Sequence, residues 1–379
     1  MTVPLTQRGV LWLGLKCDMR CNFCYDELVP SALKRWVPLD DIKLALMKFR
    51  NYYLNEYVDF MGGEPSYHPD VLEVVRYSAS IGLKPTLVTH GMRLADIEFA
   101  TALRDAGVHD FLVSVHAVGD TLHKIHRRGR DNSAKQQQGL DNLRSLGVPF
   151  RFNTTVVRDT LAELPVVAEL AVQTGARAVN FLTFNPHFEW GGEAPPFQVQ
   201  HSEAAVALKE AIDILTAGEV EANVRYMPLC TMRGYEQHIF TQFQLPYDTH
   251  EWDYNSWYDT GFAGRPDQDW YLEASERQRI RHGYVHAKPC EGCSLRAICD
   301  GVSEQYLDRF GDGELQPYNG PDIFNPTHFI AEQPVIASEP STPPPPIDEA
   351  LASPLPLTQF AEKIENRAGV SVEFSPKRR

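Results

Sequence analysis

Short runs of apolar, β-branched and aromatic residues alternate with longer amphipathic stretches over the first 217 residues. The runs are VLWLGL (10–15), YVDFM (57–61), PTLVT (85–89), FLVSV (111–115), FRFNTTVV (150–157) and AVNFLTF (178–184). Runs of this length and composition predict buried strands. Apolar residues recur at helical spacing over about 39–53, 69–81, 94–106, 133–147, 161–174 and 202–217. End signals support these helices. Asp40 opens the first, Pro69-Asp70 opens the second and Gly82 closes it, and Gly107, Gly147 and Gly175 follow the next three.

Six strand–helix units in succession predict an α/β fold with a parallel sheet and crossover helices. A full barrel of this type has eight units, so six predict a partial, TIM-like (β/α)6 barrel. Chemistry is expected at the carboxyl ends of its strands. Periodicity weakens after residue 217. The stretch 218–329 is rich in Tyr, Trp, His and Asp and holds four of the seven cysteines. It reads as a smaller irregular domain held by something other than a large apolar core. Residues 330–379 include SEPSTPPPPID. Such a composition buries too little surface to fold alone, which predicts a mostly disordered tail with a short helix near 356–367.

The chain of 379 residues has 43% hydrophobic and 23% charged residues, enough for an ordinary globular core. Its formal net charge of −14 argues against a nucleic-acid partner, because phosphate contacts need clustered Lys and Arg. MTVPLTQRGVLW at the start has no basic stretch followed by an apolar run, so no signal peptide is expected. No segment approaches the ~18 uninterrupted apolar residues of a membrane span. A cytoplasmic location is the expectation. There, seven cysteines point to metal binding or catalysis before disulfides.

Three of the cysteines, Cys17, Cys21 and Cys24, are spaced C-x3-C-x2-C directly after the first strand. Thiolates are soft ligands suited to iron–sulfur clusters. Three of them hold three irons of a four-iron cubane and leave the fourth open to another ligand. Zinc is the alternative, but a closed zinc site needs four N or S ligands and no fourth local Cys or His is present.

The triad, with Phe23 before its third cysteine, resembles the signature of the radical S-adenosylmethionine (radical SAM) superfamily. That resemblance implies a [4Fe–4S] cluster whose open iron binds S-adenosylmethionine. It also implies reductive cleavage of that cofactor to a 5′-deoxyadenosyl radical, which abstracts hydrogen from a substrate. Met61-Gly62-Gly63-Glu64-Pro65 ends the second strand and is similar to the family's GGEP motif. The motif implies that Gly62, Gly63 and Glu64 contact the cofactor's methionine amino group. Thr89-His90-Gly91 ends the third strand where relatives often carry Thr-Asn-Gly, so His90 departs from the pattern and reads as a ribose or substrate contact or as a surface residue. Ser114 at the end of strand four, Asn153 in strand five and Arg128 within His126-Arg127-Arg128-Gly129 match further cofactor-binding positions. His116 is a weaker candidate of the same kind. For each there is a plain structural reading: a satisfied strand residue, or a solvated arginine.

Cys290-x2-Cys293-x5-Cys299 is similar to part of the SPASM and twitch extensions, which hold auxiliary [4Fe–4S] clusters. With Cys230 the set reaches four, enough for one fully ligated auxiliary cluster and too few for two. Four cysteines also suit zinc, and an isolated Cys230 also reads as a buried apolar residue. The run YDTHEWDYNSWY (247–258) either lines a substrate cavity or packs as a loop.

The resemblance therefore implies a radical SAM oxidoreductase or lyase acting on a small biosynthetic molecule, such as a sugar, nucleoside or amino-acid derivative. An electron donor such as flavodoxin or ferredoxin is implied, with no nucleic acid and no membrane. Radical modification of a ribosomally made peptide is the second reading. The first strand begins near residue 10, leaving no room for an N-terminal peptide-recognition module, which favours the small molecule. A methyltransferase using the same cofactor and, from another class, a zinc-stapled non-catalytic binding protein complete the alternatives.

Overall fold

The apolar runs form strands that lie side by side in chain order. The computed structural model describes residues 8–24, 29–51, 55–129, 131–184, 196–240, 283–325 and 328–329. β1 (Arg8–Trp12), β2 (Tyr57–Met61), β3 (Lys84–Thr89), β4 (Asp110–Ser114), β5 (Phe150–Val156) and β6 (Ala178–Thr183) pair in parallel. The crossover helices are α1 (Leu39–Asn51), α2 (Val71–Ser80), α3 (Ile97–Ala106), α4 (Gly119–His126), α5 (Asn132–Ser145), α6 (Leu164–Thr174) and α7 (His201–Ala217). α4 is an addition to the predicted set. At eight residues it is too short for its periodicity to stand out.

The sheet does not stop at six strands. β7 (Glu221–Arg225) and β8 (Ile239–Phe240) continue it past residue 217, giving eight parallel strands in the order β1 to β8. Neither had an apolar run to announce it. β7 reads EANVR, and β8 has only two residues. β1 and β8 do not pair with each other, so the partial barrel stays open.

Strand side chains alternate between two faces. Val58, Phe60, Leu87, Phe111, Phe152 and Phe181 are fully buried on the face that packs against the helices. Each contributes about 1.5–3 kcal/mol by leaving water. The residues between them face the concave side, and near the strand N-termini these are charged. Arg8 donates to Asp59 and to Thr86 Oγ1, Thr86 donates to Asp110, and Arg151 Nε donates to Asp110 Oδ2 (2.8 Å). Burial pushes the Asp110 carboxyl up, but Arg151 and Arg8 outweigh it and hold it down at about 2. This network fills the amino end of the concave face. The carboxyl end is left for a site.

The cysteine-bearing segment beyond residue 282 is tied to the barrel. It contains the antiparallel pair β9 (Tyr284–Val285) and β10 (Val302–Ser303), then α8 (Glu304–Phe310). The first turn of α7 has no capping side chain of its own. Tyr306 Oη accepts from His201 N–H (2.8 Å) and Glu314 Oε2 accepts from Ser202 N–H (2.9 Å), so α8 and its loop satisfy that turn from outside. No described helix is long and apolar enough to cross a membrane. The run 247–258, the tail 330–379 and its expected helix lie outside the described residues.

Candidate cofactor and cluster sites

The first cysteine loop follows β1, at the carboxyl edge of the sheet. Met19 and Phe23 are buried and pack with Met92, Leu122, Ile125 and Phe184, while Cys17 and Cys21 lie partly exposed against this cluster. Apolar anchors at 19 and 23 thus hold the loop down and leave the three cysteines half-buried. Cys17, Cys21 and Cys24 form no disulfide. Burial pushes the Cys17 thiol well up, and Glu64, Asp18 and Cys21 push it further. A thiolate there calls for a compensating cation, which a bound metal supplies.

The GGEP motif forms the wall beside this loop. Gly63 N–H donates to Gly14 O (2.9 Å) and Glu64 N–H donates to Lys16 O (2.8 Å). Gly62 has φ +125°, and a Cβ on it would stand 2.0 Å from Gly14 O; one on Gly63 would stand 2.3 Å from Lys16 O. The glycines do permit a close approach, and the backbone approached is the one leading into Cys17. The Glu64 side chain turns inward and is 1% exposed. Its carboxylate accepts from Ser66 N–H (3.0 Å), Thr89 Oγ1 (2.6 Å) and His90 N–H (2.8 Å). Glu64 therefore locks the β2 loop to the β3 loop.

Three histidines back the cysteine loop, and sequence reasoning gave them little weight. His90 Nδ1 accepts from Met92 N–H (3.2 Å), so Nε2 carries the proton and donates to Asp18 Oδ1 (2.7 Å). Burial opposes both charges, yet Glu64 and then Asp18 hold His90 above its ordinary value, and His90 holds Asp18 below its own. The His116 ring meets Phe23 edge-on at 4.8 Å. His126 O accepts from Arg20 N–H (2.9 Å). Asp18, Arg20 and Phe23 each meet one histidine. Burial holds His116 at about 3 and His126 at about 4, so both are neutral near pH 7. Cys17, Asp18 and His90 offer ligand atoms within 4.8 Å of one another. Both His90 nitrogens are engaged, so His90 does not complete a zinc site with the triad.

Ser114 and Asn153 are register partners on adjacent strands and share the concave face. The same row continues through Asn180 and Asn223, where Asn223 Nδ2 donates to Asn180 Oδ1 (3.0 Å). Gln136 Nε2 donates to His90 O (2.9 Å) and Ser114 O (3.0 Å), joining the β3 and β4 loops. Arg128 is exposed after α4. Its carbonyl accepts from Asn132 Nδ2 (2.8 Å), and its guanidinium makes no hydrogen bond or ion pair among the described residues.

The other four cysteines come together. Cys230 follows β7, and it lines one cavity with Cys290, Cys293 and Cys299. All four are free. Burial raises the Cys230 and Cys290 thiols and pushes Cys299 up to about 12. Cys293 Sγ accepts from Tyr318 N–H (3.3 Å). The 60-residue separation that made Cys230 look isolated is closed by the sheet, because β7 delivers it to this cavity.

The fold is an open parallel half-barrel with a three-cysteine loop at the carboxyl end of its first strand. Residues 13–171 match the Radical SAM superfamily, and over these residues the chain carries a radical SAM domain. The AdoMet-dependent heme synthase of Methanosarcina barkeri is 35% identical over 187 residues, 47% of this chain and 51% of that protein. The PqqA peptide cyclase of Methylorubrum populi is 28% identical over 179 residues, 46% of this chain and 45% of that protein. The chain thus spans about half the length of the curated relatives it matches. Streptococcus suis SuiB bound to its precursor peptide SuiA has a TM-score of 0.53 and 13% identity, covering 84% of this chain and 76% of that one, a likeness of fold.

Both expected groups fit the residues present. The first loop presents three cysteines outside any disulfide beside the Asp18 and Glu64 carboxylates, where a bound cation is favoured, and the second cavity presents four.

Proposed function

We propose that the chain is a radical SAM enzyme of the cytoplasm, with one [4Fe–4S] cluster on Cys17, Cys21 and Cys24 and an auxiliary one on Cys230, Cys290, Cys293 and Cys299. The observation that carries this reading is the cysteine loop itself, set at the carboxyl edge of the sheet and clamped through Glu64, His90 and Asp18. When bound, the first cluster supplies the electron that cleaves S-adenosylmethionine to a 5′-deoxyadenosyl radical. The chain's own residues hold and orient. Gly62 and Gly63 let the β2 loop lie against the cysteine loop, and Glu64 fixes it there. Ser114 and Asn153 offer hydrogen bonds from the concave face, and Arg128 stands at the rim as a partner for the cofactor carboxylate. Residues 1–217 form the cofactor-binding unit and 218–329 carry the auxiliary site, with β7 and β8 lending the sheet its last strands.

A small biosynthetic molecule is the substrate this reading favours. The Ser114–Asn153–Asn180–Asn223 row supports it, being polar, uncharged and suited to hydroxyl or amide groups. A peptide is the second reading, supported by the likeness to PqqA peptide cyclase. A flavodoxin or ferredoxin supplies electrons. The test is 5′-deoxyadenosine formation by reconstituted protein given either the low-molecular-weight or the peptide fraction of a cell extract. Stimulation by the low-molecular-weight fraction alone is expected, and stimulation by the peptide fraction alone overturns the small-molecule assignment.

A further inference from the structure

His126 is a buried side chain that the proposed function leaves without a task. It is fully buried, in contact range of His90 and His116, whose ring centroids lie 6.4 and 6.5 Å away. Its tautomer follows from its neighbours. Asn132 Nδ2 donates to Arg128 O (2.8 Å), which fixes the amide with its NH2 toward that carbonyl. The same NH2 lies 3.1 Å from His126 Nδ1, making Nδ1 the acceptor. The ring proton therefore sits on Nε2. That atom is buried and has no hydrogen-bond partner among the described residues. A buried donor left unmet costs about 1–3 kcal/mol, so it calls for an acceptor.

The surroundings say what kind. Arg20 N–H is bonded to the His126 carbonyl, and Met19 Sδ lies 3.5 Å from the same Asn132 amide, so the ring backs the segment between Cys17 and Cys21. No side-chain oxygen of the described residues accepts from Nε2. Asp18 takes its bonds from His90 and Tyr67, and Glu64 from Ser66, Thr89 and His90. We infer that His126 Nε2–H donates a hydrogen bond to a sulfur of the cluster held by Cys17, Cys21 and Cys24. His126 is then a tuning residue for that cluster. Hydrogen bonds to cluster sulfurs stabilise the more negative, reduced state and so raise the reduction potential. This inference rests on the cluster assignment above.

The experiment uses the full chain, reconstituted and without S-adenosylmethionine. Pulsed electron paramagnetic resonance of reduced, 15N-histidine-labelled protein is expected to show a weak nitrogen coupling to the triad cluster. His126→Phe should abolish that coupling and lower the reduced-to-oxidised ratio at a fixed applied potential by about tenfold, the loss of one charge-assisted hydrogen bond. His126→Gln, which keeps an N–H, should restore part of the ratio. Should His126→Phe fail to fold, the coupling in the unaltered protein decides alone. Four irons at the triad with no histidine coupling and an unchanged ratio overturn the inference and leave the cluster intact. So does an unchanged ratio accompanied, in a separate titration with S-adenosylmethionine, by weakened binding, which moves the donor to the cofactor. Absence of iron at the triad overturns the cluster assignment instead.

Discussion

Replacing Glu64 with alanine removes the acceptor that joins two loops. Ser66 N–H, Thr89 Oγ1 and His90 N–H all end on its carboxylate, which is 1% exposed. A hydrogen bond to a charged group contributes about 1.5–3 kcal/mol, but the three are not additive. Thr89 Oγ1 can rotate and keeps its bond from Gly91 N–H (3.0 Å), whereas the two backbone donors stay fixed and buried. The net loss is about 3–5 kcal/mol, the range for removing one partner from a buried charged network. Thermal unfolding of the metal-free chain, followed by circular dichroism, should shift down by roughly 5 °C. Because Glu64 N–H and Gly63 N–H also order residues 14–16, iron retained at the triad should fall in parallel. Glu64→Gln keeps the shape but turns an NH2 toward one donor, and should lose about half as much. A Glu64→Ala transition within about 2 °C of the unaltered chain would refute the locking role.

Gly62→Ala should reduce triad iron while sparing the auxiliary site, since its Cβ meets Gly14 O at 2.0 Å; iron analysis with equal loading at both sites contradicts this. Cys230→Ala should cut iron from about eight to about four per chain if Cys230 is the fourth auxiliary ligand, read by iron counting after anaerobic reconstitution. Stability should fall on acidification through the His201–Glu314 pair. Burial holds His201 at about 4 against the pull of Glu314, and Tyr306 and Ser202 help hold Glu314 below its ordinary value despite burial. The unfolded chain then binds more protons at low pH: the His201 contribution is complete above about pH 6.5 and is lost toward pH 4, and the Glu314 contribution is complete above about pH 4.5 and is lost below it. His201→Phe, which keeps the stack on Tyr306, should flatten the pH dependence of urea unfolding by up to about 3 kcal/mol across the His201 window.

Six strands were legible because their helix-facing residues are large and apolar, as with Phe60, Leu87, Phe111 and Phe152. β7 was not, because its concave-facing residues Glu221, Asn223 and Arg225 break the run, and β8 is too short to carry a pattern. The cysteine spacing and GGEP were legible as motifs. What the paired glycines approach was not, since the partner backbone at residues 14–16 is distant in sequence. The three histidines escaped weight for the same reason. His90 follows β3, while His116 precedes α4 and His126 ends it in the next crossover, and only the parallel sheet stacks these segments behind Cys17–Cys24. Cys230 looked isolated until β7 delivered it to the auxiliary cavity.

The central claim is that Cys17, Cys21 and Cys24 hold the cluster that cleaves S-adenosylmethionine. The direct measurement is 5′-deoxyadenosine formation by anaerobically reconstituted protein with dithionite, beside a variant in which all three cysteines are alanine. The account predicts product only with reductant, and a triple variant that keeps about half its iron, near four per chain, yet forms none. Cleavage retained in the triple variant would contradict it.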